Sequence, residues 1–173
     1  MSVTWVSEPL ARICADVLVL GYFEGERPLK GFTGYVDWLA GGALSRLIVG
    51  HRATGRLHEA TLVVLETFST PTILFVGLGR ASAFTYWTLD QTAKTLVGRL
   101  VGLRVTRAAV EMLGIRAGGL DPAIAARTFI KAWQDASAAE PIQLSLVVPR
   151  QIQPRQIEQR LREMGLESTK VAR

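Results

Sequence analysis

TILFVGLGR, Thr72–Arg80, is an unbroken apolar run that stops at Gly77 and Gly79. A run without alternation is the pattern of a strand buried on both faces, and glycines at its carboxyl end predict a tight turn into the next element. In an open α/β sheet that end is where ligands usually sit. The stretch therefore predicts the central strand of such a sheet, and poses the question whether its turn holds a ligand or only reverses the chain.

Working outward, Ala60–Thr67 (ATLVVLET) predicts the preceding strand, and Asp16–Leu20 (DVLVL) a second doubly buried strand that Gly21 ends. Val3–Pro9 predicts a first strand, and the glycine-rich, charged Tyr22–Phe32 a surface loop. From Tyr35 the period becomes helical, with Val36, Leu39, Ala40, Ala43, Leu44, Leu47 and Ile48 on one face and Gly50 at the end. Gly41 and Gly42 fall inside that pattern and predict either close backbone packing or a break into two helices.

Beyond the glycine turn, Thr88 and Gln91 have the spacing of a capping box ahead of a helix closed by Gly102. Arg104–Leu113 predicts a strand, and Asp121 with Pro122 the capped start of a helix. Gln143–Val148 predicts the last strand and Pro154–Met164 the last helix, with a loose tail after Glu167. Alternating strands and helices define an α/β fold, a mixed sheet covered by helices on both faces. The length of 173 residues fits one domain, residues 1–173.

Composition narrows the chemistry. One cysteine, Cys14, excludes an internal disulfide and a cysteine-based zinc site, and its place at a strand edge predicts a small apolar role. No run approaches the length of a membrane span and no leader pattern opens the chain, so the expectation is a cytoplasmic protein. Of the net charge of +5, six basic against three acidic residues lie from Arg150 onward. Glu158 and Arg162 have ion-pair spacing, the mark of a solvated helix face, while nucleic-acid binding through that helix is the rival reading.

Catalytic machinery is hard to assemble from these residues. His51 and His58 are seven apart in a polar stretch, which fits no helical metal pair, and they are expected to be exposed. Asp16 and Asp37 are expected to satisfy backbone donors at element ends rather than to act as an acid and base. Gly77 and Gly79 could bring backbone N–H groups to a phosphate, with Gly21, Arg80 and Ser82 completing a candidate cofactor-binding cleft at the strand ends. No Lys-Ser/Thr follows as in a P-loop, and the third glycine of a dinucleotide fingerprint is absent, so a structural turn is the competing reading. No catalytic residue, metal ligand or cofactor is assigned.

Several segments together resemble a known family. DVLVLGYFEGERPL (Asp16–Leu29), a helix with Gly42-Ala43-Leu44, GHRATGRLHEATLVVLE (Gly50–Glu66), ILFVGLG (Ile73–Gly79) and a helix with Ala125-Ala126-Arg127 occur in the order found in the amino-terminal domain of cytosolic leucyl aminopeptidases, peptidase family M17. The resemblance covers Val3–Val148. It implies a three-layer, macro-domain-like fold whose mixed central sheet is flanked by helices. In that family a separate carboxyl-terminal domain holds two metal ions, with an Asn-Thr-Asp-Ala-Glu-Gly-Arg signature that has no match here. The implied protein is a stand-alone, non-enzymatic domain that associates with itself or with a peptidase-like partner. Related macro domains bind ADP-ribose, so a nucleotide or ADP-ribose module is the alternative, although their Asn-rich segment is missing and Gly77–Ser82 would have to stand in for their phosphate loop.

Overall fold

The computed structural model of the chain describes residues 3–7, 13–66, 68–115, 119–149, 153–165 and 169–171. Its strands are β1 (Val3–Val6), β2 (Val17–Tyr22), β3 (Ala60–Val64), β4 (Thr72–Gly77), β5 (Arg107–Glu111), β6 (Gln143–Val147) and β7 (Thr169–Val171). The helices are α1 (Gly31–Leu39), α2 (Ala43–Val49), α3 (Tyr86–Gly102), α4 (Pro122–Ala136) and α5 (Pro154–Glu163). One sheet runs β3-β4-β2-β5-β6-β1-β7, with β3 antiparallel to β4 and every other pair parallel. The α/β class with a mixed sheet follows as the patterning predicts.

Two cores lie on opposite faces of the sheet. Val17, Val19, Leu74 and Val76 pack with α3, α4 and α5, whereas Leu18, Leu20, Ile73 and Phe75 pack with α1 and α2. Alternate residues of β2 and β4 thus enter different cores, which is why neither strand alternates polar with apolar residues. Tyr22 and Phe75 stack at 3.8 Å between ring centroids in the α1–α2 core. β4 is second from the edge of the sheet rather than central, because the chain adds β3 outside it.

Several boundaries differ from the sequence expectation. β2 continues through Gly21 to Tyr22, since Gly21 pairs with Val76 and Tyr22 with Gly77. The pattern from Tyr35 is two helices. Gly41 and Gly42 have φ of 61° and 81°, outside helical geometry, and the buried Asp37 carboxylate caps α2 by accepting from Leu44 N (2.8 Å) and Ser45 N (3.0 Å). The cap of α3 is Thr85, which forms its capping box with Thr88, one turn before the expected position. Asp121 caps α4 as expected, accepting from Ala123 N (3.0 Å) and Ile124 N (3.1 Å).

At the carboxyl end, Thr169–Val171 pairs parallel with β1 as an edge strand, in the segment expected to be loose. Pro9, the expected end of the first strand, lies outside the described residues. Glu158 and Arg162 form no pair: Glu158 is buried, its Oε1 has no hydrogen-bond partner, and Arg160 instead binds Asp121 at 2.9 Å. The i,i+4 spacing marks a helix, while tertiary packing decides which of its faces is buried.

Candidate functional site

The connections after adjacent strands β2 and β5 leave in opposite directions. β2 leads into α1 on one face of the sheet, and β5 leads into α4 on the other. Diverging connections leave a crevice outside the carboxyl ends of the strands. A cleft of about 570 Å³ lies there, bounded by Gly21 near the end of β2, Phe23 just after it, Gly31 at the start of α1, Leu78 after β4, and Glu111 to Gly114 at the end of β5.

Gly21 lies at the floor of this cleft because no side chain fits. A Cβ there would stand 2.6 Å from Leu113 Cδ2 and 2.9 Å from Leu78 Cδ1, so the two leucines close over bare backbone. Beside it, Glu111 ends β5 with its carboxyl turned inward. Oε2 lies 2.5 Å from Thr33 Oγ1 and 3.5 Å from Gly21 N, while Thr33 Oγ1 is 3.0 Å from Gly21 O. Thr33 has one hydroxyl proton for two acceptors, Gly21 O and Glu111 Oε2. Both contacts are satisfied when Thr33 donates to Gly21 O and Glu111 is protonated and donates to Thr33. Burial pushes the Glu111 carboxyl up to about 7, against the lowering effect of the Thr33 and Gly21 bonds and with a further push from Glu26.

Glu26 closes the loop between β2 and α1. Its Oε2 accepts from Phe23 N (3.0 Å) and its Oε1 from Lys30 N (3.2 Å), so this carboxylate is used in shaping the cleft wall. The remaining walls are apolar, from Phe23, Leu78, Met112 and Leu113. The arrangement is a mainly apolar crevice with two carboxyl groups and no cationic side chain beyond Lys30 among its described lining residues.

The glycine turn after β4 has a different role. Gly77 packs against the 54–59 loop: a Cβ would lie 2.1 Å from Arg56 O, Gly77 N donates to Glu59 O (2.8 Å), and its own carbonyl accepts from His58 N (2.9 Å). Gly79 has φ of 73°, donates to Gly55 O (2.8 Å) and accepts from Glu24 N (2.9 Å). Arg80 is exposed, 3.6 Å from Glu24, and Ser82 lies exposed in the short turn Ala81–Ala83. Of the five candidate residues, Gly21 lines the cleft; Leu78 is the part of the glycine turn that reaches it.

Residues the sequence reading passed over are Glu26, Gly31, Glu111 and Gly114. A signal for the last two existed: VEMLG, like FVGLG, is an apolar strand end followed by a glycine, and Gly114 has φ of 78° with a virtual Cβ 2.3 Å from Phe84 Cε1.

Elsewhere, titratable groups serve structure. Asp16 joins β2 to β5 by accepting from Arg107 Nη2 (2.8 Å), Thr106 Oγ1 (2.8 Å), Arg107 N (2.9 Å) and Thr106 N (3.0 Å), and these bonds, led by Arg107, hold it far below the ordinary carboxylate range. Asp16 and Asp37 each satisfy backbone donors as expected. His58 is half-buried rather than exposed; its Nε2 lies 3.3 Å from Thr92 Oγ1, and burial and then Arg99 lower its pKa. His51 is exposed. Cys14 is exposed too, so the expected apolar packing role is not taken up. Among the described residues no group of three or more His, Cys, Asp or Glu is placed to hold a metal ion, and no helix is long and apolar enough to cross a membrane.

Sheet order, layers and cleft define a macrodomain-like α/β protein. The Trypanosoma brucei macrodomain in complex with ADP-ribose superposes with a TM-score of 0.75 at 10% identity, covering 95% of this chain and 69% of that one. A mutant of tomato leucine aminopeptidase superposes with a TM-score of 0.62 at 14% identity, covering 94% of this chain and 35% of that one. These likenesses show the fold. The family is shown by sequence: residues 19–137 match the cytosol aminopeptidase family, N-terminal domain, and the chain belongs to that family. A probable cytosol aminopeptidase of Geobacter sulfurreducens is 35% identical over 111 residues, which are 63% of this chain and 22% of the relative. The chain thus spans less than a quarter of the curated relative it matches, and the matched domain is the amino-terminal one rather than the peptidase domain.

Proposed function

We propose that this chain is a non-catalytic domain that acts in the cytoplasm by protein association, with itself or with a peptidase-like chain. The observation that carries the reading is an aromatic row on α1 that runs from Phe32, half-buried against the core, out to the exposed Tyr35 and Trp38. Phe32, Tyr35 and Trp38 follow at helical spacing, with ring centroids 6.3 Å and 6.4 Å apart, and Trp38 is 74% exposed with Leu39 beside it. Aromatic side chains exposed on one helix face are the composition of interface anchors, because they bury much area with few torsions to freeze. The family membership supports a peptidase-like partner, and the name of the Geobacter relative supports the cytoplasm. The test is light scattering and calorimetry on the chain alone and with the catalytic portion of a cytosol aminopeptidase. Association weakened by Trp38→Ser is expected; a strict monomer that binds no such portion would refute it.

A second reading, a nucleotide or ADP-ribose module, is favoured by the cleft at the strand ends and by the ligand of the Trypanosoma neighbour. Electrostatics oppose it, since a diphosphate in this cleft would meet Glu26 and, above neutral pH, an ionised Glu111. Calorimetry with ADP-ribose decides: no heat and no melting shift at millimolar ligand rejects the module. Nucleic-acid binding is the weaker third reading, as Arg160 on the basic helix is already paired with Asp121.

A further inference from the structure

β3 is the outermost strand on its side of the sheet. Its register with β4 runs from Ala60 opposite Val76 to Val64 opposite Thr72, and is extended by Gly77 N donating to Glu59 O (2.8 Å) and Leu65 N to Pro71 O (2.7 Å). In an antiparallel ladder the bonded residues alternate. Glu59, Thr61, Val63 and Leu65 therefore turn their backbone groups toward β4, while Ala60, Leu62 and Val64 turn theirs to the other side, where no strand pairs with them among the described residues. The same three side chains share one face of the sheet, where Leu62 is 50% and Val64 62% exposed.

Natural edges are usually blocked by charge, proline or a bulge. Ala60 to Leu65 contains no charge and no proline. The flanking Glu59 carboxylate is committed inward, its Oε2 accepting from Thr54 N (2.7 Å), Gly55 N (2.8 Å) and Tyr22 OH (3.2 Å); donors from Thr54, Gly55 and Tyr22 outweigh its burial and keep it ionised there.

We propose that β3 pairs antiparallel with β3 of a second copy of this chain across a two-fold axis at Leu62, joining the two sheets into one. This rests on the association reading and names its partner and surface, separate from the α1 row. The register follows from the groups available. Centred on Leu62, that residue faces its own counterpart and Ala60 faces Val64, so every open N–H and C=O of the three residues is matched, about six hydrogen bonds at two per bonded pair. A shift of the axis along the strand leaves at least one of them unmatched. Leu62 and Val64 of both copies then form one apolar strip, and no like charges meet across the pair.

In the same pairing Glu66, exposed just past one end of β3, comes to the end at which the second copy's exposed Arg56 precedes its strand, and neither Glu66 nor Arg56 has an ion-pair partner among the described residues. A five-residue edge is small against the roughly 1,200–2,000 Å² of a stable complex. The dimer is therefore concentration-dependent, with dissociation in the micromolar to millimolar range.

Sedimentation of the full chain over a concentration series, with amide exchange followed at single residues, tests this. The expected result is a reversible monomer–dimer equilibrium in which the Leu62 and Val64 amides gain protection with concentration while the Val63 amide, bonded to β4, is protected throughout. Leu62→Lys is expected to weaken the dimer about tenfold or more. Leu62→Pro should do the same, since it removes only an outward N–H. A dimer indifferent to both variants, with the Leu62 amide exchanging freely, overturns edge pairing but leaves association standing. A monomer throughout that also binds nothing through the Trp38 surface overturns both. If either variant destabilises the fold, exchange on the unaltered chain decides alone.

Discussion

Replacing Glu111 by Gln tests the protonated carboxyl at the cleft floor. The side chain ends β5, and its pKa rises from an ordinary 4.5 to about 7 in the folded protein. Between these values the native state binds the proton that the unfolded state has released, so stability falls as pH rises through this window and levels off above pH 7. The loss is at most about 3.5 kcal/mol, at about 1.4 kcal/mol for each pKa unit. Gln keeps an N–H donor for Thr33 and cannot ionise, so the variant should lack this slope.

The assay is urea unfolding of both proteins at a series of pH values from 5 to 8, roughly the range in which the carboxyl titrates. His58 titrates in an overlapping range with opposite sign, because its folded pKa is lowered and stability rises as pH passes through the window below its ordinary 6.5. The difference between the two proteins cancels that contribution. The variant should be the more stable at pH 8 by about 1–3 kcal/mol and near equal at pH 5. Parallel pH profiles would refute a protonated Glu111 and, with it, the hydrogen-bond order assigned to Thr33.

Other expected outcomes are structural. Asp37→Ala leaves the Leu44 and Ser45 amides without their acceptor and should cost about 1–2 kcal/mol in chemical unfolding. Gly77→Ala forces a Cβ onto Arg56 O and should cost roughly 1–3 kcal/mol or more, measured by the melting temperature. Asp16→Asn weakens the link between β2 and β5; the depressed Asp16 pKa means its contribution is present above the ordinary carboxylate range and lost as pH falls below it, so the variant should differ from the parent near neutrality and converge with it in acid. Trp38→Ser, on an exposed face, should leave stability within about 0.5 kcal/mol while reducing association in light scattering.

How much of this was legible in the sequence depended on whether the deciding force was local. Runs such as DVLVL and TILFV carry their burial on both faces in their composition, and Asp121-Pro122 carries a helix start in two residues. The Gly41-Gly42 break was legible as one of two options, because the sequence shows the glycines but not Asp37 reaching forward to cap α2. Position within the sheet was not legible: β4 looks central from its apolarity, yet it owes that apolarity to helices on both faces rather than to its rank among strands.

The cleft was half legible for the same reason. The rule that ligands sit beyond strand ends pointed to the glycines after β4, but the crevice opens where connections diverge, and those are the ones after β2 and β5. Gly77 and Gly79 are glycines because the 54–59 loop packs against their backbone, a long-range contact with no trace in the local pattern. Glu111 falls inside the expected strand Arg104–Leu113, where nothing in the local pattern marks it. Only when β5 is set beside β2, and Thr33 of α1 is brought over Gly21, does its carboxyl become the buried, proton-holding group of the site. A glycine-terminated strand is thus a guide to a site only once the directions taken by its neighbours are known.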